Sequence, residues 1–243
     1  MRSPARRTRG VFALVASVAV VSACSAGDGA DSSAASSSAQ GPDLASGLLP
    51  EGAFGPDAAV TAITPEQLRQ GAGAVAAGAA DVQITPPECV AAVAGTQPNF
   101  DDFDDIAAQS STTGTAATVE VLVRGGPTED TVDLLQTAAV RCPQAQLTAP
   151  GAGQSTVTFE SVPVDGLGDG AALLRYTTVL SLPDGTQATV PALIGAVEDG
   201  NRLLILLTIE SADLGGAAGA PVDPAAFAAL LAQAYEAQAQ ALD

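Results

Sequence analysis

Residues 171–211 read AALLRYTTVLSLPDGTQATVPALIGAVEDGNRLLILLTIES. Three apolar runs, Ala171–Leu182, Thr186–Glu198 and Arg202–Ser211, are separated by Asp184-Gly185 and by Asp199-Gly200-Asn201. Asp-Gly between apolar runs is the strongest short-range hairpin signal, because tight turns need residues that accept positive φ. The stretch therefore predicts a three-strand antiparallel meander. Leu203–Ile209 (LLILLTI) is almost continuously apolar, which predicts a central strand covered on both faces.

Working outward, Asp223 is placed to cap a helix over Pro224–Leu242, with Phe227, Leu230, Leu231, Ala234 and Tyr235 as its apolar stripe. That stripe is the expected cover for one face of the sheet. Upstream, Gln154–Val164 and Ala117–Arg124 read as two further strands, the second with Val119, Val121 and Val123 on one face. Gly125-Gly126-Pro127 breaks that strand. Thr128 then opens a helix over Glu129–Arg141, which delivers Cys142 and stops at Pro143. Thr64 before Pro65-Glu66-Gln67-Leu68 marks another helix start, weakened further on by Gly71, Gly73 and Gly78. Thr85 before Pro86-Pro87 repeats the opening for a short helix over Cys89–Ala94, with Cys89 facing inward. The fold class is α+β: a mostly antiparallel sheet of about five strands ending in the meander, with helices packed on it, the C-terminal helix among them. Helices dominate the first half and strands the second, which argues against a doubly wound parallel fold.

Nine cations stand against 27 acids in 243 residues. Arg2, Arg6, Arg7 and Arg9 lie in the first ten residues; beyond them five Arg face all 27 acids, a balance of −22. Nucleic-acid binding needs clustered cations, so it is excluded as a function class. There is no His and no Lys. Histidine acid–base chemistry, His metal sites, P-loop phosphate binding and Schiff bases are all ruled out. No Gly-x-Ser-x-Gly or Ser-x-x-Lys is present to activate a serine. No pair of acids has a spacing that singles it out for glycosidase-type work. The expectation is a protein that is not an enzyme, with no cofactor and no metal.

The basic N-terminus leads into Val11–Val21 (VFALVASVAVV). Eleven residues span about 16 Å as a helix, too short for a ~30 Å hydrocarbon core. The run reads as the apolar region of a signal peptide over residues 1–23. Val21-Ser22-Ala23-Cys24 follows and resembles the bacterial lipobox, which implies that Cys24 becomes diacylglycerylated and is the mature N-terminus. Several acyl chains make an effectively permanent anchor, since each buried methylene contributes about 0.8 kcal/mol. Residues 24–47 then form the lipidated Cys and a tether of Ser, Ala, Gly and Asp too poor in apolar groups to order itself. Such a coil spans about 25 Å. Residues 48–243 form one domain. The expected location is the extracytoplasmic face of the cell membrane, held by the acyl anchor.

The chain has three cysteines, Cys24, Cys89 and Cys142. Acylation of Cys24 leaves one pair, which outside the cytoplasm can oxidise. A Cys89–Cys142 bridge would close a loop of about 53 residues, worth about 4 kcal/mol in the chain-entropy model. The alternatives are two buried thiols or a metal pair, and no other soft ligand exists to complete a metal site.

Three further features compete with plainer readings. Asn99–Asp105 (NFDDFDD) packs four acids into five positions. A cation held by Asp101–Asp105 is one reading; a charged helix start with Phe100 and Phe103 as core anchors is the favoured one. Arg175 and Arg202 could grip an anionic ligand, although pairing with neighbouring acids is expected. The surplus of Ala, Val and Leu allows an apolar cleft between the sheet and the last helix for a hydrophobic envelope molecule, against plain core.

The lipobox at Cys24, the tether, the Leu48-Leu49-Pro50 opening, Pro86–Cys89, Cys142 at a helix end, the meander and the last helix together resemble one family. It comprises the small exported lipoproteins of mycobacteria and related actinobacteria. They share the extracellular sensor-like domain of receptor Ser/Thr kinases. A sibling family of uncharacterised lipoproteins is similar. The resemblance spans roughly residues 48–242. It implies an α+β ligand-binding or sensor module of the cell envelope, without catalysis, and carries no site residue onto this chain. The partner would be an unknown envelope ligand or, alternatively, a membrane or cell-wall protein docked by an accessory subunit.

Overall fold

The computed structural model describes residues 41–96, 99–149, 153–181, 185–210 and 222–243. The expected signal peptide, Cys24 and most of the expected tether lie outside the described residues.

Among the described residues nine strands form one sheet. In chain order they are β1 (Ala59–Ile63), β2 (Gln83–Thr85), β3 (Asp105–Thr113), β4 (Ala116–Arg124), β5 (Gln144–Ala149), β6 (Gly153–Val162), β7 (Gly170–Ser181), β8 (Gln187–Asp199) and β9 (Arg202–Glu210). The spatial order is β1-β3-β4-β9-β8-β7-β6-β5-β2. Every described pairing is antiparallel. The expected meander is present as β7-β8-β9, and the five expected strands are β4 and β6–β9. The expected count of about five is too low: β1, β2, β3 and β5 are added. Their sequences carry few bulky apolar residues, so their pairing is decided by neighbours rather than by local pattern.

Four helices flank the sheet: α1 (Pro65–Ala79), α2 (Val90–Gly95), α3 (Glu129–Arg141) and α4 (Pro224–Leu242). The start of α1 is a capping box, with Gln67 N donating to Thr64 Oγ1 at 3.2 Å and Thr64 N donating to Gln67 Oε1 at 2.9 Å. The start of α4 is capped by Asp223 Oδ1, which accepts from Ala225 N at 2.9 Å. Leu203 and Ile205 of β9 join one core with α2, α3, Phe100, Phe103 and the two cysteines. Leu204 and Leu206 join the other with α4. β9 is thus covered on both faces, as its composition requires, and Leu203–Leu206 are at most 3% exposed.

The second face has a cover that the sequence reading placed in the tether. Leu44–Gly47 form a 3₁₀ turn, and Leu44 and Leu49 are 1% and 3% exposed. The tether therefore ends before residue 47. Leu44, a bulky apolar residue in an otherwise small and polar stretch, is enough to fix the chain against Leu122 and α4. Close approach is required there: a Cβ on Gly47 would sit 2.9 Å from Leu242 Cδ1 and 3.0 Å from Leu122 Cδ2.

Candidate functional site

Cys89, at the end of a 3₁₀ turn over Pro87–Cys89, is bonded to Cys142 at the C-terminus of α3, with Cα atoms 5.1 Å apart. Both are fully buried. The bridge ties α2 and its approach to α3 on the first face. It settles the choice among bridge, thiols and metal pair.

The acids of 101–105 do not converge. Asp101 lies 3.5 Å from Arg69, Asp102 accepts from Asn99 Nδ2 at 2.7 Å, and Asp105 is paired with Arg124 at 2.6 Å. Among the described residues no group of three or more His, Cys, Asp or Glu is placed to hold a metal ion. Phe100 and Phe103 are buried core anchors. The segment makes only a 3₁₀ turn over Phe100–Asp102, and β3 begins at Asp105 where a helix start was expected.

Arg175 and Arg202 are both paired. Arg175 meets Glu160 across the β6–β7 pair at 3.0 Å. Arg202 bridges Asp199 and Asp243, and Asp199 Oδ2 also accepts from Gln238 Nε2 of α4 at 3.3 Å. This group fastens the C-terminal end of α4 to the β8–β9 turn.

The space between sheet and α4 is filled. Phe227, Leu231, Ala234, Gln238 and Leu242 of α4 are buried at helical spacing. Leu231 and Phe227 press onto the bare backbone of Gly195. The long apolar cleft weighed from composition is closed by these side chains. What remains beside the start of α4 is a pocket of about 200 Å³ lined by Arg175, Thr177, Pro191, Ala192, Leu193 and Val222. Five of these residues are uncharged, and the sixth, Arg175, is engaged by Glu160.

A buried polar cluster escaped the sequence reading. Glu120 of β4 is 0% exposed and Gln109, opposite it on β3, is 8% exposed. Leu49 N donates to Glu120 Oε1 at 3.2 Å and Oε2 at 3.1 Å. Gln109 Nε2 donates to Glu120 Oε2 at 2.6 Å and to Leu49 O at 2.8 Å. Burial pushes the Glu120 carboxyl above the ordinary carboxylate range, against the lowering effect of the Gln109 and Leu49 hydrogen bonds. A Glu in a strand covered on both faces must find donors, but the cover of this face of β4 comes from Leu44 and Leu49, far away in the sequence. The cluster holds one carboxyl with an amide rather than two carboxyls sharing a cleft, and it grips backbone rather than an open space.

No family model and no curated protein matches the chain. Among solved structures it is similar to an uncharacterised protein from Mycobacterium smegmatis, described as the Rv0999 ortholog. That likeness has a TM-score of 0.51 and 17% identity, over 81% of this chain and 96% of that one. It is also similar to the extracellular domain of PknH from Mycobacterium tuberculosis, with a TM-score of 0.40 and 12% identity over 79% and 94% of the two chains. The first likeness shows the fold alone: the chain shares the α+β fold of that mycobacterial protein.

Proposed function

We propose that the chain is a lipid-anchored, extracytoplasmic, non-enzymatic module of the actinobacterial cell envelope, of binding or sensor-like type. The observation that carries this reading is the Cys89–Cys142 bridge. It accounts for two of three cysteines, suits an oxidising compartment, and leaves Cys24 alone in a lipobox-like tetrapeptide behind an apolar run too short to span. No helix among the described residues is long and apolar enough to cross a membrane. An acyl chain on Cys24 is then the means of attachment, and the strongly acidic body is held off anionic lipid by repulsion within about 8 Å.

For a small ligand, the site is this pocket, and its size suits a compact molecule with an apolar body whose anionic end displaces Glu160 from Arg175. A second reading, a docking subunit for a protein partner, is favoured by α1. Its C-terminal half, Gly73–Ala79, is exposed and carries no charge in a chain of −18. Titration of the labelled protein with short-chain carboxylates, followed by amide shifts, separates the two. Shifts centred on Thr177 and Leu193 that vanish in Arg175→Met support the ligand reading. A flat titration transfers the weight to docking.

A further inference from the structure

The chain that joins the anchor segment to the domain is laid along the face of β4 and fixed at three successive points. Arg124 Nη1 donates to Pro42 O at 3.1 Å. Gly47 lies against Leu122. Leu49 has both its backbone N–H and its C=O taken by the Glu120 and Gln109 side chains. Of these points only the last is a buried ionisable group, and it is buried beneath the segment it holds. We propose that residues 41–54 form a releasable strap, and that the Glu120 carboxyl, gripped through Leu49 and Gln109, is the proton-operated catch that holds it down.

The neighbours leave Glu120 as the group that titrates in the catch. The charged groups on the elements packed around it are Asp43 and Glu51 of the strap, Asp105 of β3, Arg124 of β4, Arg202 and Glu210 of β9, and Glu236 and Asp243 of the α4 end. Arg124 is engaged by Asp105, Arg202 by Asp199 and Asp243, and Glu210 accepts from Thr115 Oγ1. The hydrogen bonds made to Glu120 come from an amide and a backbone N–H.

The sign follows from burial. With the strap down, the carboxyl is desolvated and its pKa is raised above the ordinary 4.5. With the strap lifted, it meets water and returns toward that value. The docked state therefore binds the proton more tightly. Docking is strongest below the free value and weakens by up to tenfold per pH unit as pH rises through the docked value, levelling off above it. Acid closes the strap and neutral pH loosens it. On the anchoring reading, release lengthens the leash by up to about 45 Å and uncovers Leu122.

The test is hydrogen exchange of the full mature chain across mildly acidic to neutral pH, corrected for the intrinsic pH dependence of exchange. Protection of residues 41–54 is expected to fall as pH rises, by as much as tenfold per unit, while β8 and β9 keep theirs. Glu120→Gln, which is neutral at every pH and can still accept from Leu49 N, is expected to keep the strap protected with a flat profile. Glu120→Ala is expected to lose protection throughout. Strap protection that does not change with pH in the natural chain, or a Glu120→Gln profile that follows it, overturns the proposal. The profile does not depend on acylation, so a chain without lipid overturns the anchoring reading and leaves this one standing.

Discussion

Gly195 of β8 lies directly beneath Leu231 of α4: a Cβ there would sit 2.7 Å from Leu231 Cδ2 and 3.2 Å from Phe227 Cε1. The helix closes onto the sheet because that one backbone position is bare. Gly195→Val should lift α4 and lower stability by about 1–3 kcal/mol, the usual cost of overpacking. Leu231→Ala, which leaves a cavity instead, should cost about 2–5 kcal/mol. Urea unfolding of the two variants checks both. A neutral Gly195→Val would mean that the helix does not close on the sheet.

The bridge between Cys89 and Cys142 encloses a sequence separation of 53. The double variant Cys89→Ala, Cys142→Ala should lose about 4 kcal/mol of unfolding free energy in the chain-entropy model. Reducing the natural protein should lose a similar amount. A shift below about 1 kcal/mol would show that the bridge does not constrain the unfolded chain as that model requires.

Burial alone pushes the Tyr176 phenol up to about 12. Its ring lies 6.4 Å from Phe159 in the first core. The raised value means that the folded state holds the phenolic proton more tightly. This contribution to stability is present below the free value of about 10 and is lost as pH rises toward 12. Ultraviolet titration of the phenolate should show a late component that disappears in Tyr176→Phe. A titration complete near 10 would contradict the packing of this half-buried ring against the first core.

Arg202 ties α4 to the β8–β9 turn through Asp199 and Asp243, and its side chain is only 13% exposed. Arg202→Met should fray the last turn of α4, seen as faster amide exchange after Gln238, with a global loss of about 1 kcal/mol. Unchanged exchange there would assign the fastening to Leu242 packing alone.

How legible these features were depended on whether local chemistry or distant neighbours decide them. α3 (Glu129–Arg141) and α4 (Pro224–Leu242) were readable to the residue, because a Thr or Asp precedes each and proline marks the end of one and the start of the other. The meander was readable from its Asp-Gly turns. β3 was not: DIAAQSSTT is polar, yet Gln109 and Ser111 are buried by strands on both sides and by the strap. The three residues of β2 gave no pattern at all. Glu120 was not legible because nothing local to β4 marks the face opposite its valines as covered. The burial of its other face comes from Leu44 and Leu49, some 70 residues away, and no window on the sequence holds both. The pairing of Cys89 with Cys142 was legible from the cysteine count once Cys24 was set aside, with two buried thiols or a metal pair as the alternatives that the bridge replaces.

The most direct test of anchoring is intact-mass analysis of the protein in membrane and soluble fractions, for the natural chain and for Cys24→Ala. The account predicts a membrane-bound species that begins at Cys24, carries the added mass of acyl chains and has no free thiol, with Cys24→Ala no longer acylated. A cytosolic polypeptide still bearing Met1, without acyl mass and with its thiols free, would contradict it.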